Sequence, residues 1–169
     1  MDAKTYIQQQ MANVRRHVDA VVKDTTDEQF NWLPPGTINP ISAILVHVLA
    51  GEDYFIQTVL QGKPRCWEAE GWGRKIGIQA PPGPGRGWDE FKTIKISVAP
   101  VLAYEQSIRV ATDIYLADFS VEELNRQVNF AGNVLPAAEV LMTLTVHIAS
   151  HAGEIAAVKG MQGIKGLPF

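Results

Sequence analysis

The chain has 169 residues, of which 46% are hydrophobic and 20% are charged. This composition is typical of one folded domain over residues 1–169 and argues against a disordered or fibrous protein. Fifteen Lys and Arg against eighteen Asp and Glu give a net charge of −3, and the isoelectric point is near 5.8. A nucleic-acid-binding domain is usually basic, so we expect no nucleic-acid partner.

The sequence shows no sign of export or of a membrane anchor. Its single cysteine, Cys66, cannot form an intrachain disulfide, which is compatible with a reducing compartment. The first residues are polar and lack the pattern of a signal peptide. The longest apolar stretch, residues 41–50, is about half the length that a bilayer requires. We therefore expect a cytoplasmic protein without a membrane partner.

Four long helices are predicted in chain order, and no strand is predicted. The first covers about residues 2–23, where apolar residues recur in steps of three and four. The second covers 39–62, from Asn-Pro to Gly, and its first half is apolar nearly all round, as in a buried helix. The third covers 88–117, with Pro100 either kinking it or marking a second start. The fourth covers 136–160, and together they predict an all-α four-helix bundle.

Turns and irregular chain are expected between these helices. Thr26 and Gln29 could cap a short turn, and Ser120 with Glu123 has the spacing of a capping box. Residues 125–133 follow neither the helical nor the strand period, so we expect them to be irregular.

Residues 63–87 form a long Gly/Pro-rich insert between the second and third helices. Connections of this length are uncommon in compact domains and are often lids or binding loops. We expect the insert to fold over an open end of the bundle and to border the functional site, with Trp67 and Trp72 sheltered from water. Its five basic residues against two acidic ones could meet an anionic ligand. The alternatives are a solvated loop and a loop that packs on a second subunit.

The fourth helix contains a histidine pair. His147 and His151 are four residues apart, so their side chains lie one turn apart on the same face, beside the apolar stripe. This spacing lets two imidazoles reach one metal ion. Two structural histidines that meet by chance are the alternative, because the motif is short. Ile148 stands where zinc proteases of the HExxH type carry their glutamate, so that general base is missing.

A third histidine, His47, lies in the apolar first half of the second helix. An imidazole buried there is costly without a partner. It could bond a backbone carbonyl as a core histidine, but the matched pair on another helix favours a ligand role. Three neutral imidazoles plus water form the open type of zinc site, and imidazole equally suits nickel, copper and iron, so the residues do not decide the ion. We therefore expect one divalent ion at His47, His147 and His151, zinc or nickel first, with manganese, iron or cobalt as alternatives.

The chain resembles the DinB/YfiT-like family of metalloenzymes. The resemblance lies in HVLAGEDYFIQTVLQG around His47 and in HIASHAGEIAAVKGMQGIKGLPF at the end, and it extends loosely through TDEQFNWLPPGTINPISAILVH. It implies a four-helix bundle, with His47, His147 and His151 as metal ligands and often a homodimer. Many members carry Gln where this chain has Glu154.

The resemblance also implies the expected activity. Relatives suggest transfer of a low-molecular-weight thiol to an electrophile or hydrolysis, and we favour the thiol-dependent transferase because the basic insert could hold the carboxylates of a thiol. A metal-dependent hydrolase is the alternative enzyme. A non-catalytic, stress-associated metal-binding dimer is the alternative of another class, and a fourth protein ligand closing the site would favour it.

Glu154 is the candidate catalytic residue. It follows His147 by seven residues and His151 by three, so it shares their helix face. It could be a fourth ligand, an acceptor behind a ligand histidine, or a base that acts through metal-bound water. A surface ion pair with Lys159 or Arg16 is the alternative.

Five further residues are expected to be structural. Glu52 and Glu105 fall in apolar stripes, where an internal ion pair is a simpler explanation than contact with a ligand histidine. Tyr54 could line the pocket but is more simply a packing residue. Cys66 would need activation to serve as a nucleophile. No spacing connects His17 with the other histidines.

Overall fold

The computed structural model describes residues 1–167 and is mostly helical. Four long helical segments surround one hydrophobic core, and short helices, turns and one hairpin connect them. The elements in chain order are α1 (Ala3–Val22), α2 (Asp27–Phe30), α3 (Ile41–Asp53) with a π-helical continuation (Tyr54–Leu60), α4 (Cys66–Ala69), α5 (Trp72–Ile76), a 3-10 turn (Glu90–Lys92), α6 (Val98–Asp118), a second 3-10 turn (Val121–Asn125), β1 (Gln127–Phe130), β2 (Asn133–Pro136) and α7 (Ala137–Met161).

The first helix forms as its apolar spacing predicts. The side chain of Asp2 accepts a hydrogen bond from the amide of Thr5 and so caps α1. Met11, Val14 and Val18 are buried on one face, and this face packs against α7. The capping box at Thr26 is also present and begins α2.

The second of the four long helices, α3, is the centre of the core. Nearly every residue of α3 is buried, because α6 and α7 pack on its sides. The prediction of a helix that is apolar all round is therefore confirmed. After Asp53 the chain changes to a π-helix, and Gly62 follows it with a φ of +66°. Such π-helical segments are rare and often lie at functional sites.

The third of the four long helices, α6, begins ten residues later than predicted. Residues 88–97 contain only the short 3-10 turn, and α6 starts at Val98. The reason is a distant cap: the carboxylate of Asp27 accepts hydrogen bonds from the amide of Val98 and the hydroxyl of Ser97. Pro100 is therefore in the first turn of α6, where its missing N–H breaks no helical hydrogen bond, and it does not kink the helix.

A β-hairpin replaces the irregular chain that was predicted for residues 125–133. β1 and β2 pair antiparallel, with Phe130 opposite Asn133 and a two-residue turn at Ala131 and Gly132. Both turn residues have positive φ, 52° and 83°, as a type I′ turn requires. Ala131 is an unusual residue there, so the sequence lacked the common Asn-Gly signal. The predicted capping box at Ser120 is also wrong, because no side-chain bond caps that turn.

Two helical segments are long and apolar enough to cross a membrane by length and composition, Ile41–Leu60 and Ala137–Met161. The first is 72% buried inside the protein, as expected of a core helix. The second is 33% buried and packs one face on α1 and α3. Two such segments are weak evidence for a membrane protein, since core helices pass the same test.

Residues 63–87 are more ordered than a Gly/Pro-rich loop. They contain α4 and α5, whose tryptophans Trp67 and Trp72 are buried and pack against the ring of Tyr104 in α6. The carboxylate of Asp53 accepts hydrogen bonds from the amides of Cys66 and Trp67, both at 2.9 Å, and from the hydroxyl of Tyr104 at 2.8 Å. This buried carboxylate caps α4 and attaches the segment to the core.

Candidate metal centre

Three histidines from two helices converge. His47 comes from α3, and His147 and His151 come from α7; one ring nitrogen from each lies within 4.8 Å of the others. They meet because α3 and α7 pack against each other along their lengths. All three rings are half-buried, so the cluster lies at the edge of the core and is reachable from solvent. The structure therefore brings together the three residues predicted as metal ligands.

The ring of His47 is oriented by the polypeptide backbone. Its Nδ1 lies 2.9 Å from the carbonyl oxygen of Pro82. A carbonyl oxygen only accepts hydrogen bonds, so Nδ1 carries the proton and donates it. The other nitrogen, Nε2, is left with a free lone pair and lies 3.0 Å from Nε2 of His147. A ring nitrogen that faces its neighbours in this way is suited to hold a metal ion.

His151 is oriented by Glu154. Its Nδ1 lies 2.7 Å from a carboxylate oxygen of Glu154, the residue one turn further along α7. This contact occupies Nδ1, so Nε2 is the ring nitrogen of His151 that is available to a metal ion. A carboxylate behind a histidine is a common arrangement in metal sites, where it orients the ring and raises its basicity. Glu154 is thus paired neither with Lys159 nor with Arg16.

His147 is held mainly by packing. An added Cβ at Gly51 would lie 2.7 Å from Cε1 of His147, so the ring rests directly on the α3 backbone. Phe55, from the π-helix, stacks on the same ring with an interplanar angle of 28°. The Nδ1 atom is buried without a hydrogen-bond partner among the described residues. A buried nitrogen without a partner is costly, which indicates that the ring is retained for more than packing.

Burial favours the neutral form of two of the three imidazoles, those of His47 and His147. Burial is the main cause that lowers the pKa of His147 to about 4, and the neighbouring His151 and His47 lower it further. Burial also lowers the pKa of His47, although the bond to Pro82 opposes the change. Only a neutral imidazole has a lone pair for a metal ion. The donor set therefore fits a divalent transition metal that prefers nitrogen ligands.

Aromatic side chains form the walls around the histidines. The ring of Trp88 lies 4.8 Å from that of His47, and Phe130 of the hairpin lies 4.7 Å from Phe55, centroid to centroid. Residues 63–88 contain three tryptophans. Trp88 contacts His47, whereas Trp67 and Trp72 contact Tyr104. The expectation that the insert borders the site thus applies to its second half only.

Two of the residues expected to be structural, Glu52 and Glu105, form the internal ion pairs that were expected. Glu52 pairs with Arg15 at 2.5 Å and Glu105 pairs with Arg109 at 2.6 Å, so both belong to internal ion pairs. Cys66 is buried, and burial raises its pKa to about 11, so it is not an activated nucleophile. Tyr54 is 38% exposed, and its ring contacts Phe55. His17 is not part of the cluster.

Sequence reasoning missed Pro82 and Trp88 as neighbours of His47, Phe130 as a neighbour of Phe55, and Asp53 as the anchor of the insert. Asp53 could have been suspected, because a carboxylate in an apolar helix needs a partner. Pro82 acts through its carbonyl oxygen, and every residue has one. The amino-acid sequence therefore contains no signal for this role.

Fold and site together define a mostly helical protein with a candidate three-histidine metal centre. The sequence profile of the DinB superfamily matches residues 10–155. The chain therefore belongs to the DinB superfamily, as its histidine motifs suggested.

Two solved structures have a similar fold. The crystal structure of the conserved protein of locus from Enterococcus faecalis has a TM-score of 0.78 at 15% identity, covering 94% of this chain and 96% of that one. The structure of a DinB-like protein from Bacillus cereus ATCC 10987 has a TM-score of 0.65 at 16% identity, covering 96% and 95%. At this identity the likeness concerns the fold alone. The comparison with curated proteins found no match.

Proposed function

We propose that the protein is a metal-dependent enzyme that holds one divalent ion, zinc or nickel first, through His47, His147 and His151. The observation that carries this proposal is the pairing of the outer ring nitrogens. Nδ1 of His47 is bonded to Pro82 and Nδ1 of His151 to Glu154, so the inner nitrogens are left to converge. Manganese, iron and cobalt remain alternatives for the ion.

An enzyme is favoured over a purely structural metal site by the number of ligands. Within residues 1–167, the cluster contains three candidate ligands and no fourth histidine, cysteine or carboxylate. Catalytic zinc sites have three protein ligands and an open position, whereas structural sites have four. Glu154 is engaged behind His151, which supports a role as the acceptor that orients that ring. An ion bound here would lower the pKa of a bound water or thiol toward neutrality.

For the reaction, we propose a thiol-dependent transferase acting on a small molecule, with a metal-dependent hydrolase as the alternative. Arg86 supports the first choice. It is exposed, and it belongs to the same short loop as Pro82 and Trp88, which contact His47. Its guanidinium could meet a carboxylate of a low-molecular-weight thiol. By contrast, Arg65 is paired with Glu68, and Lys75 lies over the ring of Trp72.

The assembly is also proposed rather than observed. We propose that the four long helices form the four-helix bundle of the family and that two copies form a cytoplasmic homodimer. The outward face of α7 carries Met142 and Val146, each 60% exposed, which is compatible with such a contact. Sedimentation equilibrium would test it, because a monomer over the micromolar range would contradict the dimer.

Metal binding is tested first. Metal content would be measured on freshly purified protein and on His47→Ala, His147→Ala and His151→Ala, with His17→Ala as the matched control. Each variant of the cluster should lose most of the metal and keep its helical circular dichroism, while the control keeps both. Full metal occupancy in His47→Ala would show that His47 is a core histidine.

The reaction is tested with the metal-loaded protein. Conjugation of candidate thiols to an electrophile would be compared with hydrolysis of ester and amide substrates. Arg86→Ala should raise the KM for an anionic thiol, whereas Arg74→Ala, on α5, should not. Turnover that is independent of thiol would favour the hydrolase. Metal binding without either activity would favour the non-catalytic, stress-associated dimer.

A further inference from the structure

We infer that the loop Pro81–Trp88, called the latch below, is a positioning element that sets the ring orientation of His47. The inference rests on the proposed metal centre and adds a role for a segment outside the histidine motifs. Two contacts support it: the carbonyl of Pro82 accepts from Nδ1 of His47, and the ring of Trp88 lies against the His47 ring.

The latch is ordered by hydrogen bonds and contacts between its own residues. Gly83 and Arg86 exchange two backbone hydrogen bonds, at 3.0 and 3.1 Å, which close a tight turn. The indole Nε1 of Trp88 donates to the carbonyl of Gly83 at 2.9 Å. An added Cβ at Gly87 would lie 3.1 Å from Cα of Pro82, so the two ends of the loop touch. Pro82 and Trp88 are therefore held together by the loop itself.

The contacts act on the nitrogen that faces away from the cluster. A histidine in α3 can rotate about its side-chain bonds and can carry its proton on either nitrogen. The bond from Nδ1 to Pro82 selects the tautomer with a free Nε2, and the indole restricts rotation of the ring. Pro82 is buried and is packed against Gly87 at the other end of the loop, which limits the movement of its carbonyl. Acceptors of this kind commonly change metal affinity by about 10–100-fold when they are lost.

Two glycines of the latch provide a matched pair of variants. Gly87 and Gly85 both have positive φ, +79° and +70°, so alanine introduces backbone strain at each. Only at Gly87 does the new Cβ press on Pro82, whereas nothing lies within 4 Å at Gly85. Gly87→Ala should therefore displace the carbonyl from His47. We expect it to weaken zinc binding by about 10–100-fold, with Gly85→Ala within about threefold of the wild type.

The indole is tested separately, so that the result does not depend on the folding of Gly87→Ala. Trp88→Phe keeps a ring beside His47 but loses the bond to Gly83, and Trp88→Ala loses both. We expect zinc to dissociate faster in the order wild type, Trp88→Phe, Trp88→Ala. Cobalt(II) absorption would report the geometry, and ¹⁵N chemical shifts of the zinc-free protein would report the His47 tautomer. Trp67→Phe, a buried tryptophan away from the cluster, is the control.

The outcomes separate this inference from the proposed function. Wild-type affinity and an unchanged His47 tautomer in Gly87→Ala and Trp88→Ala, together with metal loss in His47→Ala, would overturn the latch and leave the metal centre intact. A wild-type protein that binds neither zinc nor cobalt would overturn both. Weakened zinc binding and an altered cobalt spectrum in Gly87→Ala and the Trp88 variants, but not in the controls Gly85→Ala and Trp67→Phe, would establish the positioning role.

Discussion

Gly51→Ala is the sharpest test of the geometry of the candidate centre. The new methyl group would lie 2.7 Å from Cε1 and 3.2 Å from Nδ1 of His147. Ordinary contact begins near 3.4 Å, so the ring must move by roughly 0.7 Å. Metal–nitrogen distances tolerate only about 0.2 Å. The displaced His147 would therefore no longer match the other two ligands.

Gly51→Ala has two opposing effects on stability, and both can be measured separately from its effect on metal binding. Gly51 is inside α3, where alanine is favoured over glycine by about 1 kcal/mol. This gain offsets part of the cost of the clash. We expect the metal-free protein to keep its helical content, with a melting temperature within several degrees of the wild type. Metal affinity should fall by about 10–100-fold, as for other changes that misorient a ligand.

The assay is a competition titration of zinc against a chromophoric chelator, with circular dichroism on the metal-free protein. Gly153→Ala is the matched control, because Gly153 lies in α7 between His151 and Glu154 in a place where an added Cβ meets nothing within 4 Å. It should raise helix stability and leave zinc binding unchanged. Zinc affinity within twofold of the wild type in Gly51→Ala would refute the reasoning, since His147 would then not be held against α3 in the metal-bound protein.

Three further predictions concern stability. Asp53→Asn should destabilise the protein by about 2–4 kcal/mol in urea unfolding, because the buried carboxylate accepts three hydrogen bonds. A change below about 0.5 kcal/mol, as for an ordinary surface substitution, would show that the insert is anchored elsewhere. Glu52→Ala should cost about 2–3 kcal/mol, because the buried Arg15 would then keep only its ion pair with Asp113. Equal stability of the variant would mean that Asp113 and water together satisfy that guanidinium. For His147, the folded pKa of about 4 is below the unfolded value of 6.5. The unfolded state therefore binds more protons between these values, and the metal-free protein should lose about 1–2 kcal/mol, discounted for partial exposure, as the pH falls from 6.5 to 4. His147→Gln should flatten this slope, and an unchanged slope would assign it to another group.

Local patterns predicted much of the helical framework. The period of α1, the uniformly apolar α3 and the histidine spacing on α7 are properties of neighbouring residues, and the structure has them where they were expected. The start of α6 was mispredicted, because its cap is Asp27, 71 residues earlier in the chain. The hairpin was missed because Ala131 occupies a left-handed position that usually holds Asn or Gly.

In the candidate centre, too, some features follow from the local sequence and others depend on tertiary packing. That His147 and His151 share a helix face follows from their spacing, since the helical period places residues four apart one turn from each other. His47 was predicted as the third ligand, but its position beside them depends on tertiary packing, because it requires α3 to pack on α7. The tertiary structure also decided which nitrogen of His47 is free, through a backbone carbonyl 35 residues away. Backbone carbonyls are present at every residue, so their role depends on where the folded chain places them and not on which side chain they carry.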